Sequence, residues 1–191
     1  MGEGPDPVAR AAVPASDPKV VYQGRFLEVV EQPYGGGTWE YLRRRGGMGV
    51  VFVFAITPQD EVLLVRQFRI PLDAPVWELP AGVGDQAGED LIECGLRELV
   101  EETGWRAARA ERLITSPVSS GSSATLGDII LALDLQYVGR RGGDEFFPIE
   151  VVPVPIAELV DFILARSAAG ELVDSRILAA LCLVEARGVR Y

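Results

Sequence analysis

The chain of 191 residues contains no histidine, and that single absence removes many chemistries. A Ser-His-Asp triad, a Cys-His pair, an HExxH zinc site and a C2H2 finger all need imidazole. Catalysis must therefore use carboxylates, arginine or lysine, hydroxyls, thiols, or a metal held by oxygen. Cysteine is almost as scarce: Cys94 and Cys182 are the only two. They read as two buried thiols in a reducing compartment rather than as a disulfide framework. No apolar run reaches the roughly 18 residues that span a bilayer. The start, MGEGPDPVARAAVPASDP, has no basic stretch leading into an apolar core, so it does not read as a secretory signal. Positive charge is in deficit too, with 18 Lys and Arg against 28 Asp and Glu, a net charge of −10. Such a surface suits neither nucleic acid nor an anionic membrane. A small phosphorylated ligand stays open, because a metal ion can bridge it to an acidic protein. The expected location is cytoplasmic.

What is present is a chain that is 48% hydrophobic, enough for one ordinary core. Residues 1–18 are rich in Pro, Ala and Gly and read as a flexible tail. Residues 19–45 hold strand-like material, VVYQGRFLEVV (20–30) and TWEYLRRR (38–45), around a turn at Gly35–Gly37. The remainder, 46–191, reads as one domain. MGVVFVFAI (48–56) has the β-branched and aromatic run of a strand buried on both faces. VLLVRQFR (62–69) follows a polar turn, so these two strands are expected to form a hairpin. VWELPAGVGDQAG (76–88) reads as a loop. Residues 89–103 read as a helix stopped by Gly104. Further strands are expected over 108–114, 128–136 and 149–155, and helices over 156–168 and 174–187. This order is α+β, with helices covering a sheet.

The helix carries Glu98, Glu101 and Glu102 within five positions. On a helix, Glu98 faces both others, and each like-charge pair costs about 0.2–0.5 kcal/mol. They also crowd its C-terminal end, where the dipole favours cations. A solvated face, ion pairs to Arg97 and its neighbours, and a site for a hard divalent cation each account for the cluster. Eight residues separate Glu89 from Arg97, a little over two turns, so these two can meet on one side. GVGDQAG approximates the dinucleotide fingerprint GxGxxG but has one residue too many. Glu89 and Asp90 after it would repel a docked pyrophosphate, so we set a Rossmann reading aside.

Glu89, seven further residues, and then RELVEETGW resemble the Nudix hydrolase signature, G-x5-E-x7-R-E-U-x-E-E-x-G-U with U a bulky apolar residue. ELPAG (78–82), VRQFR (65–69) and the stretch 144–186 resemble its ADP-ribose pyrophosphatase and nucleoside diphosphate sugar hydrolase branch. Two positions depart from it. Val83 stands where the first glycine belongs, with Gly82 one residue too early, which implies a one-residue insertion in the loop. Trp105 replaces an aliphatic residue at the end.

The resemblance implies a Nudix fold, an α/β/α sandwich with a mixed β-sheet between helices. It implies hydrolysis of the diphosphate linkage of ADP-ribose or an NDP-sugar to a nucleoside monophosphate and a sugar phosphate. Mg²⁺ or Mn²⁺ would be held by Glu98, Glu101, Glu102 and the carbonyl of Ala81, neutralising the diphosphate and activating a water. Glu89 would pair with Arg97 and hold the loop against the helix. Glu145 in the GGDEFF loop is the general base by analogy, with Asp144, Glu101 and Glu102 as the alternatives. Arg66 and Arg69 are the expected substrate contacts, and Phe68 reads as core. Asp128 aligns with a substrate-site glutamate of the branch, after a Ser/Gly-rich insertion in TSPVSSGSSATLGD (115–128). The N-terminal strands are expected to form a homodimer contact carrying part of the nucleotide site, and Arg43–Arg45 reads as a solvated edge or a partner contact. A non-catalytic nucleotide-sugar-binding regulator on the same fold is the alternative function.

Overall fold

The computed structural model describes residues 16–46, 49–84, 86, 88–140 and 147–189. Most of the tail 1–18 and the loop acids Asp144 and Glu145 lie outside the described residues. The chain divides into two compact units. One comprises residues up to Met48 together with Pro117–Leu126, and the other comprises Gly49–Ser116 and Gly127–Tyr191.

In the smaller unit, β1 (Lys19–Gln23), β2 (Leu27–Tyr34) and β3 (Gly37–Arg44) form an antiparallel three-stranded sheet. The sequence reads 20–30 as one strand, but the chain turns at Gly24, whose N–H donates to the Leu27 carbonyl at 2.8 Å. Arg43 is tied across the sheet to Glu28 at 2.8 Å, and Arg45 donates to the Gly24 carbonyl at 3.1 Å, so this basic run knits the sheet internally. The Ser/Gly-rich insertion belongs to this unit as well. Leu42 N–H donates to the Ser122 carbonyl at 2.8 Å, Ala124 N–H to the Leu42 carbonyl at 2.9 Å, and Trp39 Nε1 to the Gly121 carbonyl at 2.9 Å.

The larger unit carries two four-stranded sheets. One has the order β10 (Glu150–Pro155), β5 (Glu61–Arg69), β6 (Ala74–Glu78), β11 (Leu172–Val173). The other runs β7 (Ala81–Val83), β4 (Val50–Ala55), β9 (Leu126–Tyr137), β8 (Trp105–Pro117). Both are mixed: β4 runs parallel to β9 and β6 parallel to β11, while β4–β7, β5–β6 and β5–β10 are antiparallel. The expected hairpin of 48–56 with 62–69 does not form. After a single bridge, Ile56 to Val62, the two strands part into different sheets. The expected loop 76–88 holds β6 and β7, because Val76 and Trp77 find a partner in β5 and residues 81–83 find one in β4.

Alternation along β4 shows why helices lie on both sides. Val51, Val53 and Ala55 pack with Leu63, Ile130 and Ala132 against Cys94 and Leu99 of α1 (Leu91–Thr103). Phe54 points the other way, into a cluster with Leu64, Trp77, Leu131 and residues of α2 (Leu159–Ala168) and α3 (Arg176–Ala186). The class is α+β, helices around mixed sheet, as the sequence leads one to expect. Cys94 is buried, whereas Cys182 on α3 is an exposed thiol, against the expectation of two buried ones. No helix among the described residues is long and apolar enough to cross a membrane.

Candidate active site

The site begins with the two ends of α1. Asp90 caps it, accepting from the N–H groups of Ile92 (2.8 Å) and Glu93 (2.9 Å), while Glu93 returns a bond to Asp90 N–H at 3.1 Å. This is a capping box, and it starts the helix two residues after Glu89. Gly104 ends it in the left-handed region (φ 79°), donating to the Val100 carbonyl. Both ends are therefore fixed by local chemistry, and the register of the glutamates follows from them.

Between the caps, Gly95 brings α1 down onto the sheet. A Cβ there would stand 2.8 Å from Ile130 Cδ1 and 2.9 Å from Val51 Cγ2. One turn on, Glu98 lies against Gly82 of β7, where a Cβ would overlap its Cγ and reach within 2.8 Å of its Cδ. Gly82 stands one place away from the expected motif glycine, yet it is the residue that leaves room for the Glu98 side chain. Another turn on, Glu102 is 7% exposed and accepts the N–H of Ala81 at 3.1 Å. Helix and β7 thus meet along a seam of Glu98, Glu102, Ala81 and Gly82.

Arg97 closes the seam from the side. Its Nε and Nη2 form a two-pronged bond to Glu89, at 3.0 and 3.2 Å. Its Nη1 donates to both Glu98 (2.8 Å) and Glu101 (3.1 Å). Hydrogen bonding to Glu89, and after it the charge of Glu98, raises the Arg97 pKa above its already high ordinary value, so the guanidinium is a permanent cation. Of the three accounts of the glutamate cluster, ion pairing to Arg97 is thus realised in part.

The donor set is all oxygen, which suits a hard divalent cation such as Mg²⁺ or Mn²⁺. Among the described residues no three carboxylates converge on a single point. Glu98 and Glu101 lean toward Arg97, while Glu98 lies against Gly82 and Glu102 against the Ala81 N–H. The residues fit a cation in their chemistry, and Gly82 lets the Glu98 carboxylate come close to the β7 backbone.

The other expected site residues fall in different places. Arg69 donates to Glu78 at 2.7 Å, and burial raises the Glu78 pKa although the Arg69 bond opposes it. Arg66 projects from the opposite face of β5. It lies 5.6 Å from the Trp77 ring centre and pairs with Glu150 and Glu171, each at 3.5 Å. Asp128 is buried, and its two oxygens are taken by Arg112 Nε and Thr115 Oγ1, both at 2.6 Å. Phe68 contacts Phe147, ring centres 5.2 Å apart. A residue the sequence reading did not single out is Gln67, whose Nε2 is buried without an acceptor among the described residues. Only its position between Arg66 and Arg69 in VRQFR marks it in the sequence.

The chain is similar to several known proteins. An ADP-ribose pyrophosphatase of Bacillus subtilis is 30% identical over 142 residues, covering 74% of this chain and 75% of that protein. A methanol dehydrogenase activator of Bacillus methanolicus is 31% identical over 150 residues, covering 75% and 78%. A solved structure described as an ADP compounds hydrolase superposes with a TM-score of 0.73 at 25% identity, covering 93% of this chain and 94% of that one. The NUDIX domain pattern matches residues 47–157, a span that contains α1, β7 and Glu89, Glu98, Glu101 and Glu102. With more than half its length matched by that pattern, the chain belongs to the NUDIX domain family.

Proposed function

We propose that the chain is a metal-dependent pyrophosphohydrolase that cleaves the diphosphate linkage of a nucleoside diphosphate derivative, ADP-ribose or an NDP-sugar. The products are a nucleoside monophosphate and a sugar phosphate. One observation carries this reading: Glu98 and Glu102, a turn apart on α1, both face the Ala81–Gly82 backbone, with Arg97 clamping Glu89 beside them. Mg²⁺ or Mn²⁺ would be held by Glu98, Glu101, Glu102 and the Ala81 carbonyl. The ion supplies charge neutralisation of the diphosphate and activation of water.

The chain's own groups divide the remaining work. Arg97 and Glu89 orient the carboxylates. Arg69 offers a cation to the substrate from the face of β5 that carries Leu63, and Arg66 and Asp128 stay with the substrate set as expected contacts, which requires them to exchange the protein partners they now hold. Glu145 is assigned as the base that takes a proton from the attacking water, with Asp144 and, on α1, Glu101 or Glu102 as the alternatives. Two thiols suit a reducing compartment, the basis for placing the enzyme in the cytoplasm. The β1–β3 sheet exposes Val21, Tyr22, Phe26 and Trp39, which supports assembly as a homodimer through this sheet.

The test is a panel of ADP-ribose and NDP-sugars with Mg²⁺ and with Mn²⁺, read by the phosphate-ester products released. Metal-dependent release of nucleoside monophosphate from at least one compound is the expected result. A second reading, a regulator that binds nucleotide-sugars without turnover, draws on the likeness to a protein named as a dehydrogenase activator. Tight binding of a panel compound with no product under either metal would favour it and sink the hydrolase reading.

A further inference from the structure

Gln67 lies on β5 between Val65 and Arg69, and the alternation of the strand decides which way it faces. Leu63 packs in the cluster that holds Cys94 and Leu99 of α1, and Val65 pairs with Val151, which rests on the same cluster. Val62 and Leu64 belong instead to the cluster under α2 and α3. Gln67 and Arg69 therefore share the face of β5 that carries Leu63 into the cluster beneath α1.

Gln67 Nε2 makes no hydrogen bond to the described groups around it. Its cross-strand partner is Val76, which has no side-chain acceptor. The pairs on either side are Val65 with Glu78 and Arg69 with Ala74. Arg69 reaches back to Glu78, so this ion pair passes across the position of Gln67, and Glu78 Oε2 is already bonded to the guanidinium at 2.7 Å. Gln67 Nε2 is buried and finds no acceptor among the described residues. A buried amide donor without a partner costs free energy that an apolar side chain would avoid, and native proteins seldom keep one unless water, an ion or a ligand completes it.

We propose that Gln67 is a substrate-binding residue whose Nε2–H donates to a phosphate oxygen of the substrate's diphosphate. This rests on the reading of the site as a nucleoside diphosphate hydrolase. Arg69, next on the same face, supplies the positive charge that brings an anionic oxygen there, and Gln67 supplies a neutral, directional donor beside it. A cation alone attracts phosphate from many angles, whereas a fixed amide selects one, so Gln67 sets the pose more than the long-range attraction.

The experiment compares wild type with Gln67→Leu and Gln67→Glu. Its probes are ADP-ribose with Mg²⁺ for turnover and the non-hydrolysable α,β-methylene analogue of ADP-ribose for binding. Gln67→Leu is expected to raise KM about tenfold, equivalent to about 1.4 kcal/mol, with kcat within about twofold. Gln67→Glu should raise it further by placing a carboxylate against phosphate. The ligand-free Tm of Gln67→Leu should equal or exceed that of wild type, because the substitution removes an unpaired donor, while the Tm rise on adding the analogue shrinks. A purely structural glutamine gives the opposite result, a lower ligand-free Tm with KM following it, and that overturns the proposal. So does an unchanged KM together with an unchanged analogue-induced shift. If wild type binds the analogue but hydrolyses nothing, the hydrolase reading fails and the analogue-induced Tm shift alone decides for or against Gln67. If wild type does not bind it either, both fall.

Discussion

Arg97 holds three carboxylates with one guanidinium, and this changes what substitution of each glutamate should do. Judged from sequence alone, Glu98, Glu101 and Glu102 repel, and neutralising one would relieve strain. In the fold, Glu98 and Glu101 share Nη1 of Arg97, so removing either charge also removes an attraction. Glu98→Gln should therefore leave the Tm of the metal-free protein close to wild type, a change within about 1 kcal/mol, because the attraction lost to Arg97 in this partly buried pair is offset by the repulsion relieved among the glutamates. Its kcat should fall about 10²-fold or more, and Glu102→Gln should match that loss while keeping an acceptor for the Ala81 N–H. Near-normal turnover of both variants at saturating Mg²⁺ would remove them from the cation site. Gly82→Ala tests the seam from the other side. Its Cβ would displace Glu98, so we expect a loss of about 1–3 kcal/mol of stability from overpacking. Mg²⁺ affinity, followed by titration against Tm, should fall with it. A folded Gly82→Ala with normal metal affinity would show that Glu98 needs no such approach. The motif residues were legible because their spacing is set by one helix. Gln67 was not, since an unpaired amide becomes conspicuous only once the fold shows which groups surround it.

At the scale of elements, what could be read depended on whether the signal was local. The end of α1 was clear because Gly104 adopts the left-handed conformation that glycine favours, and its start was misplaced only by the two residues through the Asp90 cap. The parting of β4 and β5 was not readable, because the polar turn between them looks the same whether the strands pair or separate. β11 escaped for another reason. It has two residues, Leu172 and Val173, too few for any periodicity, and exists because it lies parallel to Val76 and Trp77. That short pairing seats Glu171 under the Trp77 indole, which donates to it at 2.7 Å, with Arg166 and Arg66 alongside. The Trp77 bond, ahead of the two arginines, holds the Glu171 carboxyl below its ordinary value of 4.5. A depressed folded pKa means stability that is present above the unfolded value and lost as pH falls through the folded one. Glu171→Gln should accordingly lower Tm at pH 7. The gap to wild type should narrow as pH falls below about 4.5 and close once both forms are neutral. Melting curves between pH 7 and pH 3 provide the check, and a gap independent of pH would show that packing, not the carboxylate, holds β11 in place.

The larger unit has a closed core, with Phe54, Leu64 and Leu131 fully buried, although Ile70 and Leu164 are exposed on its surface, whereas the three-stranded sheet of the smaller unit has little core of its own. Tyr22 and Phe26 are each 65% exposed there, Trp39 is 52% exposed, and every residue of β1 is exposed. Solitary apolar residues on a surface need no explanation, but several on one small sheet do. A second copy meeting this sheet through a two-fold axis would cover the same residues on both protomers, and symmetric pairs are the commonest soluble oligomers. The point variant Phe26→Glu isolates this role better than a truncation near Met48. Removing β1–β3 would strip the Ser122 and Ala124 backbone groups of their bonds to Leu42 and so disturb the 117–126 segment too. Phe26 is 65% exposed, and among the described residues its ring meets the guanidinium of its neighbour Arg25 at 4.9 Å, so little of the monomer depends on it. The expected outcome is a wild-type dimer by light scattering at micromolar concentration and a monomer for Phe26→Glu. Thermal unfolding of the variant should become independent of protein concentration, since a dimer gains stability by mass action and a monomer does not. A wild-type chain that is monomeric at that concentration with full activity would refute the dimer outright. A Phe26→Glu variant that stays dimeric would move the contact to another surface.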